Sequence, residues 1–301
     1  MVEIGQLGGS ALHAAVPSKV LMATARRVRA VSDAGAFGIR VARPKIDFMA
    51  VQDHLQQVIA SLAPNVSKER LTGLGIRVIE GTARFLDRET VGVDDAVTIT
   101  GGHVVIATGS SPLLPLIPGL SDAPYLTTET IFELRVCPRH LLVIGAEPAA
   151  LELAQAFRRL GAEVTLLAQT QPLAGEDPEC ASVVLDGLRR EGVMIRSDVV
   201  PADIRRSRGK VQLVLPNGET IDGSHLLLAA GHVPNVEQLA LEQAKIECDA
   251  GGILVDHQMR SSNKRVYAIG DVAGGLPSAR TAADKADHVV RSMLLRATWS
   301  A

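Results

Sequence analysis

The sequence predicts an α/β fold, and three neighbouring features carry that reading. His140-Leu141-Leu142-Val143-Ile144 is a continuous apolar run of strand length, with Gly145 as a turn behind it. Pro148 to Leu160 then places alanines and leucines at helical spacing, and Gly161 stops the helix. Glu163 to Ala168 is a second apolar run, so strand, turn, helix and strand form a parallel βαβ unit.

The remaining elements follow in order. A helix is expected from Pro17 to about Val31, and a second helical region from about Asp47 to Leu74. Ile76–Glu80, Ala83–Asp87, Ala96–Thr100 and His103–Ala107 alternate like strands. Gly73, Gly75, Asp94-Asp95 and Gly101-Gly102 punctuate them. Val104-Val105-Ile106-Ala107 is expected to be a buried strand running into the turn at Gly109. Beyond the βαβ unit, a helix (Pro178–Glu191), a strand (Val193–Arg196) and a hairpin around Pro216-Asn217-Gly218 are expected. Val266 to Ile269 reads as an apolar strand ending in Gly270-Asp271. An alanine-rich helix from about Ser278 to Arg296 follows it.

Composition narrows the function classes. The 301 residues suffice for two domains with proper cores, and 47% hydrophobic with 21% charged residues describes a globular chain, not a disordered one. With 3% aromatic residues, a net charge of −2 and no basic run, nucleic-acid partners are not expected. No apolar run reaches bilayer length and the first residues lack the order of a secretory signal, so no membrane partner is expected. Cys137, Cys180 and Cys248 show neither pairing nor metal-ligand spacing, which points to a reduced, cytoplasmic setting. His13 has no second ligand at suitable spacing, so no metal is expected.

The segment Gly8-Gly9-Ser10-Ala11-Leu12-His13-Ala14-Ala15-Val16-Pro17-Ser18-Lys19 is the most specific in the chain. It resembles the redox-active segment of the pyridine nucleotide-disulfide oxidoreductases, the flavoprotein family of dihydrolipoamide dehydrogenase, glutathione reductase and mercuric reductase. That family writes two glycines, a Cys-x4-Cys pair and an apolar-Pro-Ser-Lys tail. Here Ala11 and Ala15 stand nearest the sulfur positions, at an interval one residue short. A thiolate is the nucleophile of disulfide exchange, and a methyl group cannot replace it.

The resemblance implies two interleaved Rossmann-like dinucleotide-binding domains. A FAD-type domain would span residues 1–136 and 257–301, with a NAD(P)-type domain inserted at 137–256. The family's first βαβ unit and its C-terminal dimerisation domain, with the dimer interface, would be absent. Several positions match family sites. Glu3 would bond a ribose hydroxyl, Gly8 and Gly9 would lie at the flavin, and Thr108-Gly109 matches the Ala-Thr-Gly exit from the flavin domain. In the family the aspartate matching Asp271, after Gly270, bonds the ribityl chain of FAD. Lys19 and Glu152 match an ion pair beside the flavin on the nicotinamide side, the one candidate catalytic pair.

The second dinucleotide turn, Gly145-Ala146-Glu147-Pro148-Ala149-Ala150, keeps its first glycine but carries Glu147 at the middle place. A working turn needs glycine there so that backbone can approach a phosphate. Ala168 stands where an acidic residue would hold the adenosine ribose, and His232 replaces an arginine of the family's Ala-Thr-Gly-Arg exit. With the first βαβ unit absent, FAD binding is expected to be weak or lost, and the altered second turn makes NAD(P)H binding doubtful. Two functions follow. One is an FAD-dependent NAD(P)H oxidoreductase without a redox-active disulfide, reducing a small-molecule acceptor. The other is a catalytically inactive remnant or gene fragment that keeps only the fold.

Overall fold

The computed structural model describes residues 1–42, 44–207, 209–275 and 279–295. They divide into two compact units. One comprises Leu12–Ser61 and Pro112–Gly231, the other Met1–Ala11, Leu62–Ser111 and the described residues from His232 onward. The described residues form six α-helices: α1 (Val16–Asp33), α2 (Phe48–Leu62), α3 (Lys68–Gly73), α4 (Pro148–Arg159), α5 (Pro178–Arg190) and α6 (Ala279–Leu295). None of them is long and apolar enough to cross a membrane. Ser278 and Arg296, the expected ends of the last helix, lie outside the described residues.

The Pro112–Gly231 part holds a five-stranded sheet in the order Val193–Arg196, Glu163–Leu167, His140–Ile144, His225–Leu228, Leu126–Thr127. Every neighbouring pair in it runs parallel. The predicted βαβ unit is its centre. Successive side chains of a strand point to opposite faces, and both faces are covered here. Leu141, Val143, Val164, Leu166 and Leu227 face a core shared with α1, α2 and α4. Leu142, Ile144, Leu167, Leu226 and Leu228 face a second core with Ile204, Leu213 and Ile221 of an antiparallel meander. That meander is Asp203–Ser207, Lys210–Val214 and Thr220–Gly223, with the expected hairpin turn at Pro216-Asn217-Gly218. His225–Leu228, which adds a strand beside the βαβ unit, extends the hairpin reading.

Helix α4 earns its place through a broad buried stripe of Ala150, Leu151, Leu153, Ala154, Ala156 and Phe157. Its alanines let α1 approach with Leu21, Met22 and Ala25, and Phe48 of α2 sets its ring 6.1 Å from that of Phe157. Helices α1 and α2 thus pack into the core of this sheet. Residues 12–61, which hold α1 and most of α2, fall in one compact unit with the sheet because this apolar stripe is buried against α4. At the far end of α4, Arg159 holds Glu191 through two bonds of 2.7 Å, and Gln155 adds a third of 3.1 Å. The Arg159 hydrogen bond keeps the Glu191 carboxyl below the usual range. Helix α5 starts on Asp177, whose carboxylate accepts from the backbone of Glu179 and Cys180.

The helical region expected over 47–74 is broken. Helix α2 ends at Leu62, a 3-10 turn spans Ala63–Val66, and Ser67 caps α3 through Arg70. Pro64 lacks the amide that a continuing helix would need.

The other unit is built from short pieces. Ala83–Phe85, Thr90–Val93 and Val97–Thr100 form an antiparallel meander, the middle strand not anticipated from the sequence. Val2–Glu3 pairs in parallel with Ile79–Glu80, so only the end of the expected 76–80 strand is extended. Val104–Ile106 pairs in parallel with Val266–Ala268. Phe85, Ile106, Val266, Ala268 and Val272 join Leu239, Leu241 and Ile253 in its core. The strand read as buried is covered on one face only: Ile106 is buried, whereas Val105 is 43% exposed and Ala107 is exposed. One ladder partner covers one edge, and Val105 is left partly open.

Candidate functional site

In the unit built from short pieces, the strand Val266–Ala268 delivers Gly270 and Asp271 at its carboxyl end, where α/β folds place ligands. Gly270 has a φ of 73°, a left-handed turn that suits glycine. The half-buried Asp271 carboxylate accepts a 2.8 Å hydrogen bond from the Ser110 hydroxyl through Oδ2. Its Oδ1 has no hydrogen bond to any described residue.

Asn235 clasps the loop that leads to Ser110. Its side-chain amide donates to the Thr108 carbonyl at 3.0 Å and its backbone amide to that of Gly109 at 3.0 Å. In return the Thr108 hydroxyl donates to the Asn235 carbonyl at 2.8 Å, and Ser111 donates to Asn235 Oδ1 at 2.9 Å. Four bonds therefore fix the backbone beside Asp271. Thr108, Gly109, Gly270 and Asp271, separately singled out from the sequence, lie along this one network. Ser110 and Asn235 were not among the candidates. Their signal was position: one follows Gly109, the other lies three residues beyond His232.

Glu3 sits at the end of its short strand, half-buried, and accepts from the Gly5 amide at 3.2 Å. Gly8 and Gly9 both have positive φ, 98° and 49°, in the turn that leads into the first helix. Ala11–Ala15 form a π-helical turn that runs into α1.

In the sheet unit, Lys19 lies on α1 and Glu152 on α4. These helices pack together, yet both side chains are exposed and no ion pair joins them. Gly145 is fixed sterically. A Cβ there would sit 2.0 Å from the Ala229 carbonyl oxygen and 3.2 Å from the Ala150 methyl. That carbonyl belongs to the turn after His225–Leu228, the neighbour of His140–Ile144 in the sheet. Glu147 is the N-cap of α4, in extended conformation, exposed, and it makes no side-chain cap bond. Its Oε1 lies 3.1 Å from where a Cβ on Gly231 would be. Ala168 is fully buried.

The chain carries three cysteines, Cys137, Cys180 and Cys248. All three are unpaired with one another. Cys137 is partly buried, its thiol pushed up to about 11 by burial, so little thiolate is present at neutral pH. Among the described residues no group of three His, Cys, Asp or Glu side chains could hold a metal ion.

Residues 2–286 match the family model described as pyridine nucleotide-disulphide oxidoreductase. The chain belongs to this family. Pyridine nucleotide-disulphide oxidoreductases depend on FAD and NAD(P)H. Two relatives show its range. Mercuric reductase of Streptomyces lividans is 33% identical over 282 residues, covering 90% of this chain and 60% of its own. Dihydrolipoyl dehydrogenase of Geobacillus stearothermophilus is 32% identical over 285 residues, covering 91% and 60%. Among solved structures, the HOCl-induced flavoprotein disulfide reductase RclA of Escherichia coli superposes with a TM-score of 0.86 at 26% identity. It covers 98% of this chain and 65% of that one. The chain thus spans about 60% of the length of these two curated relatives.

Proposed function

We propose that this chain is the flavin- and nucleotide-binding part of an FAD-dependent NAD(P)H oxidoreductase that works without a redox-active disulfide. The observation that carries the reading is the Asp271 network. One carboxylate oxygen is held by Ser110 while the other has no bond to a described residue, and the clasped loop Thr108-Gly109 leaves no side chain at its glycine. An acceptor at the end of a strand, beside left-handed glycines, fits the polyhydroxyl portion of a flavin dinucleotide. FAD, when bound, would take a hydride from NAD(P)H and pass electrons to a small-molecule acceptor.

Each protein group then has a limited task. Asp271 would accept from ribityl hydroxyls, and Asn235, Thr108 and Ser110 would hold the loop and the carboxylate in place. Glu3 would accept from the adenosine ribose, with Gly8 and Gly9 leaving room for the backbone to approach. Lys19 and Glu152 are proposed as the charged pair near the flavin ring, and neither is bonded to another described side chain. Residues 1–136 and 257–301 would serve the flavin and 137–256 the nicotinamide nucleotide, with α1 and α2 buttressing the latter. A reducing, cytoplasmic setting belongs to the same reading.

The test is absorption spectroscopy on the purified chain titrated with FAD. A flavin band that bleaches when NADH or NADPH is added without oxygen is the expected result, and Asp271→Ala should weaken FAD binding by roughly tenfold. A protein that gains no flavin overturns the proposal and leaves the fold-only reading.

A further inference from the structure

The crevice of a parallel sheet opens between the carboxyl ends of neighbouring strands, and a nucleotide pyrophosphate rests there against a helix N-terminus. In this chain the neighbouring strands are His140–Ile144 and His225–Leu228, and the helix is α4. Their turns are in contact, with Gly145 against the Ala229 carbonyl. Glu147 starts the helix from that crevice. A short capping residue would fold back onto the amides of its own first turn. Glu147 makes no such bond, and its carboxylate lies over Gly231, in the turn after the neighbouring strand. The carboxylate forms no hydrogen bond or ion pair with any described residue.

We infer that Glu147 acts as a tethered anion that screens the crevice and weakens its hold on a nucleotide pyrophosphate. The inference rests on the proposed nucleotide role of this sheet. Two effects act together. The carboxylate supplies the negative charge that the positive end of α4 favours, so an incoming phosphate gains less from the helix. It also meets that phosphate as a like charge, and specificity is often set by such a repulsive contact. A neutral nicotinamide nucleoside suffers neither penalty. Gly231 helps by presenting no side chain beneath the carboxylate.

Isothermal titration calorimetry of the full chain with NADH and with reduced nicotinamide riboside tests this, comparing wild type, Glu147→Gln and Glu147→Gly. The riboside should bind all three within about twofold of one another. Glu147→Gly should tighten NADH by at least roughly tenfold. Glu147→Gln keeps the bulk and removes the charge, so it should recover part of that gain. If Glu147→Gly fails to fold by thermal melting, Glu147→Gln decides the matter. Equal NADH affinity in wild type and the folded variants would overturn the inference, as would failure of every folded form to bind either ligand. The flavin band is read separately, so a colourless protein showing this gain in NADH affinity would reject the flavin reading while the screening role of Glu147 stood.

Discussion

Two parallel β arrays in this chain are finished to very different degrees. The five-stranded sheet around His140–Ile144 is covered on one face by helices and on the other by the meander, so its alternate residues feed two separate cores. The pair Val104–Ile106 and Val266–Ala268 has two strands and leaves Val105 exposed. Parallel sheets normally have both faces covered, because their crossovers lay helices on both sides. The sheet around His140 draws its stability from apolar burial. The other pair is held by its small core and by side-chain bonds such as the Asn235 clasp. Glu3, Thr108, Gly109, Gly270 and Asp271 belong to the unit of the second kind, and Lys19, Glu147 and Glu152 to that of the first.

The strongest way to break this comparison is at Phe157, fully buried where α1, α2 and the sheet meet. Phe157→Ala should cost about 3–5 kcal/mol in a urea titration. A loss under about 1 kcal/mol would show that this layer is not where the sheet unit's stability resides.

A smaller effect is expected at the end of α4. Glu191→Ala removes the partner of the largely buried Arg159 and should cost about 2–4 kcal/mol near neutral pH. The Glu191 carboxyl is held low by Arg159, so the folded form binds that proton less readily than the unfolded chain. Its contribution is complete above the ordinary glutamate range and is lost as pH falls through the lowered value. The gap between wild type and variant should therefore narrow in acid, and a gap independent of pH would point to packing alone.

The smallest effect belongs to Val105. Val105→Thr keeps the β-branch and should change stability by no more than about 0.5 kcal/mol. A loss above about 2 kcal/mol would mean that this face is covered in the protein and that the two arrays are more alike than they look.

The parts legible in the sequence were those written locally. Leu141 to Ile144 is apolar at every position, which is what burial on two faces requires, and the turn at Gly145 and stop at Gly161 bound the helix between the strands. The motif at Gly270-Asp271 likewise named its own place. Less was legible where an outcome depended on a distant partner. Val105 reads as buried by its apolar neighbours, but its exposure depends on what covers it. The burial of α1 against α4 and the bond from Ser110 to Asp271 join residues far apart in sequence, and no periodicity records them. Lys19 and Glu152 show the converse: matching positions on packed helices do not by themselves make an ion pair.

The Asn235 clasp also has a bearing on the order in which the chain takes shape. Thr108 and Asn235 are separated by 127 positions, and the strands flanking them, Ser110–Pro112 and His232–Pro234, are paired. During synthesis the Thr108 loop emerges long before its fastener, and the whole sheet-forming stretch passes between them. A partly folded sheet would bring the two ends near one another and lower the entropy lost on closing so long a loop. Asp271 emerges later still. The proposed acceptor for a flavin is thus a feature that a growing chain can complete only after the sheet unit has had time to form.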